Sequence, residues 1–179
     1  MSNFNKRIFI TGFMAAGKTT LASALARRLR CRMIDLDQFI SERQGRTPQQ
    51  IIDEDGEKQF REMETSALRA LVETDAGCVV VALGGGAWTI EENRTLIAQR
   101  NGFIIWLDAP FELCWQRIKS GDDEVRPLAR DREQARRLYE ARRPLYGLAT
   151  LRVQATAERS VEELTTEIEH ALLHRGPEM

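Results

Sequence analysis

Residues 8–20 read Ile8-Phe9-Ile10-Thr11-Gly12-Phe13-Met14-Ala15-Ala16-Gly17-Lys18-Thr19-Thr20. This stretch predicts a buried strand, a tight turn and the first turn of a helix. Its second half, Gly12–Thr19, matches the phosphate-binding loop pattern G-x-x-x-x-G-K-[ST]. In such a loop, backbone N–H groups and the helix N-terminus face phosphate oxygens. We therefore expect a nucleotide here; the alternative is a glycine-containing turn before an ordinary helix.

Each residue type in this loop has a chemical reason. Gly12 and Gly17 allow backbone angles and close approaches that a Cβ would obstruct. Lys18 supplies positive charge for the β- and γ-phosphates, and the Thr19 hydroxyl can ligate Mg²⁺. Ala15 stands where many such loops carry a further glycine, which the pattern tolerates.

The composition describes a single globular domain spanning residues 1–179. A net charge of −1 gives no overall basic field, so we expect no nucleic-acid partner. No apolar run approaches the roughly 20 residues of a membrane span, and the first seven residues lack the apolar core of a signal peptide. We therefore expect a cytoplasmic protein without membrane association.

The three cysteines, Cys31, Cys78 and Cys114, are far apart in sequence and show no C-x-x-C spacing. An odd number without a motif favours reduced thiols with structural roles over a metal or catalytic site.

Apolar strands alternate with amphipathic helices along the chain, which predicts a three-layer α/β/α fold of the phosphate-loop kinase type around a five-stranded parallel sheet. The predicted strands are Arg7–Thr11, Arg32–Ile34, Cys78–Leu83, Phe103–Leu107 and Thr150–Gln154. The predicted helices include 18–30, 57–73, 90–100, 110–119, 131–143 (ending at Pro144) and 160–173. Polar residues 120–130 predict a mobile loop, and residues 174–179 a frayed tail. Ligands in such sheets bind beyond the carboxyl ends of the strands.

Two aspartates follow the second strand. On extended chain the carboxylates of Asp35 and Asp37 would point to the same side. One can then hold Mg²⁺ through water while the other accepts a hydrogen bond or proton from a substrate hydroxyl. Alternatively, one of them only caps the next helix.

The long helix and the third strand add further candidates. Arg61 and Glu64 share a helix face, either as a surface ion pair or as a guanidinium that grips a substrate carboxylate and is oriented by Glu64. The triple glycine Gly84–Gly86 indicates close approach of a ligand or a tight turn.

Arginines dominate the candidates in the second half. Arg126, in the predicted loop, is either solvated or closes over the γ-phosphate, and Arg117 can stack on a purine base. Most of the Arg-rich helix predicts a solvated face, but an arginine at its end, Arg142 or Arg143, is a candidate second anion clamp.

The ordered motifs resemble the shikimate kinases, a branch of the phosphate-loop NTPases related to nucleoside monophosphate kinases. The resemblance runs from Ile8 to about Val153 and rests on motifs in a fixed order. They are Gly12–Thr19, Asp35-x-Asp37, Gly56-Glu57-x-x-Phe60-Arg61-x-x-Glu64, Gly84-Gly85-Gly86-Ala87 with Asn93-Arg94, Arg126-Pro127-Leu128 and Arg142-x-Pro144-Leu145-Tyr146.

The resemblance implies a role for each matched residue. ATP would contact Gly12, Ala15, Ala16, Gly17, Lys18, Thr19, Thr20, Arg117 and Arg126. Shikimate would contact Asp37, Arg61, Glu64, Gly84, Gly85, Gly86 and Arg142, the last chosen over Arg143 by its distance from Pro144. Mg²⁺ would be held by Thr19 and, through water, by Asp35. Lys18, Asp37 and Arg126 would be catalytic.

The implied activity is ATP-dependent phosphorylation of the shikimate 3-hydroxyl in aromatic amino acid biosynthesis by a cytoplasmic monomer. Acceptor binding is expected at about 35–64 and at the 84–86 turn, with a lid at about 117–130. A related small-molecule or nucleotide kinase is the runner-up. A guanine-nucleotide switch is disfavoured, because Ile8 follows Asn5-Lys6 where Asn-Lys-x-Asp needs aspartate. Trp88 is either core or a wall of the substrate pocket.

Overall fold

A computed structural model describes residues 7–74, 77–120 and 131–174. The strands are β1 (Arg7–Thr11), β2 (Arg32–Asp35), β3 (Val79–Ala82), β4 (Phe103–Asp108) and β5 (Leu151–Gln154). The helices are α1 (Lys18–Leu29), α2 (Leu36–Gln44), α3 (Pro48–Asp55), α4 (Glu57–Glu73), α5 (Glu91–Ala98), α6 (Phe111–Ser120), α7 (Arg132–Tyr146) and α8 (Val161–His174). A 3₁₀ turn spans Ala87–Thr89.

The five strands form one parallel sheet in the order β2-β3-β1-β4-β5. The central strand β1 is covered on both faces, since Ile8, Phe9 and Ile10 are almost fully buried. This confirms the predicted fold class. Because β1 lies between β3 and β4, the segments after these three strands meet at one edge of the sheet.

Two predicted helix boundaries are wrong. Helix α2 begins at Leu36, so Asp37 lies in its first turn and not on extended chain. The Arg-rich helix α7 continues through Pro144 to Tyr146. A proline has no N–H and disrupts a helix locally, but near a helix end few residues depend on the lost bond. The Gly147 N–H donates to the Arg143 carbonyl and closes that end.

The cysteine prediction is also wrong for two of the three thiols. Cys31 and Cys78 form a disulfide, while Cys114 is a buried thiol outside it. Each bridged cysteine directly precedes a strand, and strands β2 and β3 are hydrogen-bonded neighbours. This pairing brings the two Cα atoms to 4.9 Å despite 47 residues of intervening sequence.

Several predictions fall on residues outside those the structure describes. They concern Arg126, residues 121–130 of the lid predicted at about 117–130, and the tail from residue 175 onward. Residues 117–120 of the predicted lid belong to α6. His174, expected to fray, is the last residue of α8. Among the described helices, none combines the length and apolarity needed to cross a bilayer.

Candidate active site

The phosphate-binding loop connects β1 to α1 and requires both glycines. Gly12 has a φ of +148°, and a Cβ there would lie 2.5 Å from the Leu107 carbonyl oxygen. Gly17 has a φ of +102° at the N-cap of α1. Both values lie in the region that favours glycine, so the loop shape depends on these two positions.

One side chain and one backbone N–H donate to the same carbonyl and hold the loop together. The Lys18 ammonium donates to the Phe13 carbonyl at 2.9 Å, and the Ala16 N–H donates to the same oxygen at 3.2 Å. Ala15 adopts a φ of 58°, a left-handed conformation that costs a non-glycine residue about 1–2 kcal/mol. The loop therefore keeps its shape without the further glycine.

Arg117 contacts the back of the loop. Its Nη1 donates to the carbonyls of Ala15 and Ala16, at 3.2 and 3.1 Å. The sequence predicts that this guanidinium stacks on a purine base, and that role stays a prediction. In the structure it fixes the loop backbone and still lines the cavity beside it.

The predicted metal ligands are adjacent. The Thr19 hydroxyl donates to Asp35 Oδ2 at 2.7 Å. Asp35 Oδ1 accepts from the backbone N–H groups of Asp37 and Gln38, at 3.0 and 3.2 Å, and so caps α2. The Asp35 carboxylate therefore caps α2 with one oxygen and faces the phosphate-binding loop with the other. A hydroxyl and a carboxylate are the oxygen donors that Mg²⁺ prefers.

Helix α4 presents Arg61 and Glu64, the pair predicted to bind the acceptor. Arg61 Nη1 lies 2.8 Å from Glu64 Oε2, and Arg61 Nη2 lies 3.1 Å from Glu57 Oε1. Glu64 is completely buried, which excludes the surface ion-pair interpretation. A buried carboxylate with a neighbouring guanidinium fixes the position of that guanidinium.

Burial is the largest single influence on the pKa values of Glu64, Arg61 and Arg142. It raises the pKa of Glu64 to about 7 despite the opposing effect of Arg61, and Asp37 adds to the rise. Burial also lowers the pKa of Arg142, and the charge of Arg61 adds to this effect. For Arg61, Glu64 and Glu57 together outweigh burial, so its pKa is raised. A ligand carboxylate near Arg142 would therefore be stabilised.

The two neighbouring arginines at the end of α7 have different positions. Arg142 is 8% exposed and lines the cavity, with a side chain close to Gly85 and to the Tyr146 hydroxyl. Arg143 instead pairs with Asp108 at 2.9 Å and covers the ring of Trp106. Of the two, only Arg142 lines the cavity, and its role as an anion clamp stays a prediction.

Two of the three glycines, Gly84 and Gly86, are explained by neighbouring side chains. A Cβ at Gly84 would lie 2.5 Å from Glu64 Oε1 and 2.8 Å from Asp37 Oδ1. A Cβ at Gly86 would lie 2.5 Å from the Arg61 guanidinium. The Tyr146 hydroxyl donates to the Gly85 carbonyl and fixes this turn. Glycine at positions 84 and 86 therefore leaves space for the side chains of Asp37, Glu64 and Arg61.

We expect Gly84→Ala to lower the free energy of unfolding by about 1–3 kcal/mol, because the new methyl displaces the buried carboxylate of Glu64 and the partly buried carboxylate of Asp37. Gly85→Ala is the matched control, since its Cβ would meet nothing closer than 3.5 Å. It should change stability by no more than about 0.5 kcal/mol. Urea unfolding of both variants tests this, and equal losses would contradict the packing explanation.

A second prediction concerns the pH dependence of stability. The pKa of Glu64 is about 7 in the folded chain, against 4.5 ordinarily, so the folded state binds this proton more tightly. The contribution is complete below pH 4.5 and is lost as pH rises through about 7. The stability difference between wild type and Glu64→Gln, measured by urea unfolding, should therefore fall between pH 5 and 8. A constant difference would contradict the raised pKa.

One cavity of about 1230 Å³ extends from the phosphate-binding loop to Asp37, Arg61 and Arg142. Its walls include the predicted residues Ala15, Ala16, Gly17, Lys18, Thr19, Thr20, Asp35, Asp37, Arg61, Glu64, Gly84, Gly85, Gly86, Arg117 and Arg142. Gly12 supports the loop without lining the cavity. Trp88 is core, 5% exposed, with its indole N–H donating to the Leu145 carbonyl.

Some wall residues were not named as site residues, although residues 47–49 lie within the acceptor region expected at about 35–64. Thr47, Pro48 and Gln49, around the start of α3, and Thr156 and Arg159, after β5, also line the cavity. The position just beyond the carboxyl end of β5 was the available signal for the last two. Helix α3 offered no such signal, because its place depends on packing against α4.

Known proteins resemble this chain over nearly its full length. The family model described as shikimate kinase matches residues 14–173. The shikimate kinase of Geobacter sulfurreducens is 42% identical over 166 residues, which cover 91% of this chain and 88% of that protein. The shikimate kinase of Cereibacter sphaeroides is 38% identical over 98% of this chain and 86% of its own length.

Solved structures agree with this assignment. A shikimate kinase from Acinetobacter baumannii, in complex with shikimate, superimposes with a TM-score of 0.87 at 33% identity, covering 96% of this chain and 95% of that one. A gluconokinase from Sinorhizobium meliloti reaches a TM-score of 0.64 at 14% identity over 97% and 99% of the two chains, which shows the fold alone. The family match, the relatives and the arrangement of the site agree: this chain belongs to the shikimate kinase family.

Proposed function

We infer that this chain transfers the γ-phosphoryl group of ATP to the 3-hydroxyl of shikimate, giving shikimate 3-phosphate and ADP. The observation that carries this proposal is the continuity of one cavity, which runs from the phosphate loop to Asp37, Arg61 and Arg142. Its 1230 Å³ exceeds the roughly 300–1,000 Å³ of a pocket for one drug-sized ligand. It therefore has room for a nucleotide and a second small substrate.

The donor half follows from the loop. The N-terminus of α1 and the loop N–H groups favour the β- and γ-phosphates. Lys18, which donates to its own loop carbonyl here, has a flexible stem and can turn to a phosphate oxygen. In line with the resemblance, we assign Arg126 to the γ-phosphate, although it lies outside the described residues.

The acceptor half holds a hydroxylated carboxylic acid. Arg61 and Arg142 face its carboxylate, and Asp37 accepts a hydrogen bond from the attacking hydroxyl. That oxygen forms a bond to Pγ while the bond from Pγ to the β,γ-bridging oxygen breaks, and the hydroxyl proton passes to Asp37 or to solvent. Positioning and electrostatic stabilisation supply the catalysis, and no covalent enzyme intermediate is needed.

The oxygen pair of Thr19 and Asp35 fits Mg²⁺. We assign Thr19 as a direct ligand and Asp35 as one through water, because their side chains already lie 2.7 Å apart beside the loop. When bound, the ion neutralises phosphate charge.

The test is a coupled assay of ADP release with ATP and Mg²⁺. Shikimate should be the efficient acceptor, while gluconate and nucleoside monophosphates should give little turnover. Efficient turnover with gluconate or a nucleotide, and none with shikimate, would overturn the acceptor assignment while leaving the kinase fold in place.

The proposal includes the organisation of the enzyme. One chain supplies all the residues named for both substrates, so we propose a single-domain cytoplasmic monomer. Sedimentation of the purified protein, with and without both substrates, measures the oligomeric state. A stable dimer would contradict this part alone.

A further inference from the structure

A second, smaller cavity of about 210 Å³ lies between the sheet and helices α2 and α4, at the opposite end of the strands from the nucleotide loop. Its floor is apolar and is built from strands β1, β2 and β3 and both helices. The apolar residues are Phe9, Ile34, Phe39, Ala70, Leu71, Val79 and Val81. No step proposed above uses this cavity.

Three arginines stand around it. Arg7 and Arg32 both pair with Val79 in the sheet register, so all three side chains emerge on one face in one row. Arg43 comes from α2, where its guanidinium lies 4.6 Å from the centre of the Phe39 ring. The guanidinium groups of these three arginines therefore border one apolar cavity.

These charges have no carboxylate partner within the part of the chain that the structure describes, where none of the three arginines forms an ion pair. Arg7 Nη2 donates to the Thr74 carbonyl at 3.2 Å. Its Nε is buried and meets no acceptor among the described atoms. Three guanidinium groups without a carboxylate partner among the described residues, beside one apolar cavity, favour an anionic ligand there.

We propose that this cavity binds a small aromatic carboxylate. The ring lies on the apolar floor beside Phe39, and the carboxylate faces Arg7, Arg32 and Arg43. The size is suitable, because an apolar cavity of about 150 Å³ is enough for benzene. A bound ligand would contact α2 and α4, the helices that also carry Asp37 and Arg61.

The experiment is calorimetric titration of the full chain with benzoate, using benzyl alcohol and inorganic phosphate as probes that lack the charge or the ring. A carboxylate could also enter the larger cavity. The titration is therefore run in two settings: on the wild type with saturating shikimate, and on Arg142→Met. We expect benzoate to bind one-to-one in both settings, at least about tenfold more tightly than either control probe.

Variants identify the site. Arg32→Met and Arg43→Met should each weaken benzoate binding about tenfold, because each removes a charge-assisted contact from an exposed residue whose loss spares the core. Ala70→Leu should abolish binding by filling the cavity. Arg100→Met, an exposed arginine outside the cavity, is the matched control and should leave affinity unchanged. Thermal unfolding checks that each variant folds.

Three results would overturn the proposal. They are benzoate binding that disappears in both shikimate and Arg142→Met, displacement of bound benzoate by phosphate at a similar concentration, and unchanged benzoate affinity in the Arg32 and Arg43 variants. Absence of benzoate binding to the wild type would do the same.

Discussion

Lys18→Ala is expected to lower kcat by about 10²–10³-fold, the usual effect of removing one preorganised donor from developing transition-state charge. The Lys18 ammonium lies on the phosphate loop, 2.9 Å from the Phe13 carbonyl, so it is within reach of a nucleotide bound there. The Ala16 N–H continues to donate to that carbonyl after the substitution. The loop should therefore persist, and steady-state kinetics with ATP and shikimate should show the loss.

Lys58→Ala is the matched control for this prediction. Lys58 is exposed on α4 and outside the cavity walls, so its removal should leave kcat and both KM values near those of the wild type. Thermal unfolding should show both variants folded. Near-normal turnover by a folded Lys18→Ala enzyme would contradict the role in phosphoryl transfer.

Arg142→Met is expected to raise KM for shikimate by the equivalent of about 2–5 kcal/mol, because a desolvated guanidinium that meets the substrate carboxylate is removed. KM for ATP should change little. Arg142 is a sharper choice than Arg61, since removing Arg61 also leaves the fully buried Glu64 without its neighbour. Initial rates across a shikimate series at saturating ATP give the measurement.

Arg143→Met is the matched control for Arg142→Met, because it removes the neighbouring arginine of the same helix. Arg143 shares Asp108 with Arg152 and lies away from the cavity, so this variant should lose stability and keep its KM for shikimate. If Arg143→Met raised KM as much as Arg142→Met, the assignment of the carboxylate clamp would be wrong.

Local sequence was sufficient to predict features that depend on residues close together in the chain. The phosphate loop follows from Gly12, Gly17 and Lys18, since backbone angles and helix start are local properties. The parallel sheet follows from apolar runs alternating with amphipathic helices. The prediction of Asp37 on extended chain failed because Asp35 acts as the N-cap and α2 already begins at Leu36.

Contacts between distant segments needed the tertiary structure. The Cys31–Cys78 bridge exists because β2 and β3 are neighbours, which no spacing of cysteines reveals. The reason for Gly84 and Gly86 is likewise distant, since their missing Cβ atoms leave space for charges carried by α2 and α4.

The sequence by itself determined the fold class and the nucleotide-loop motif, because both depend on short-range pattern, while the family resemblance implied which residues bind the acceptor. Only the tertiary structure decided that Glu64 is fully buried, that Arg142 and not Arg143 enters the cavity, and that Arg117 supports the loop backbone. Burial and side-chain direction depend on how helices pack onto the sheet, and that packing joins residues far apart in the chain.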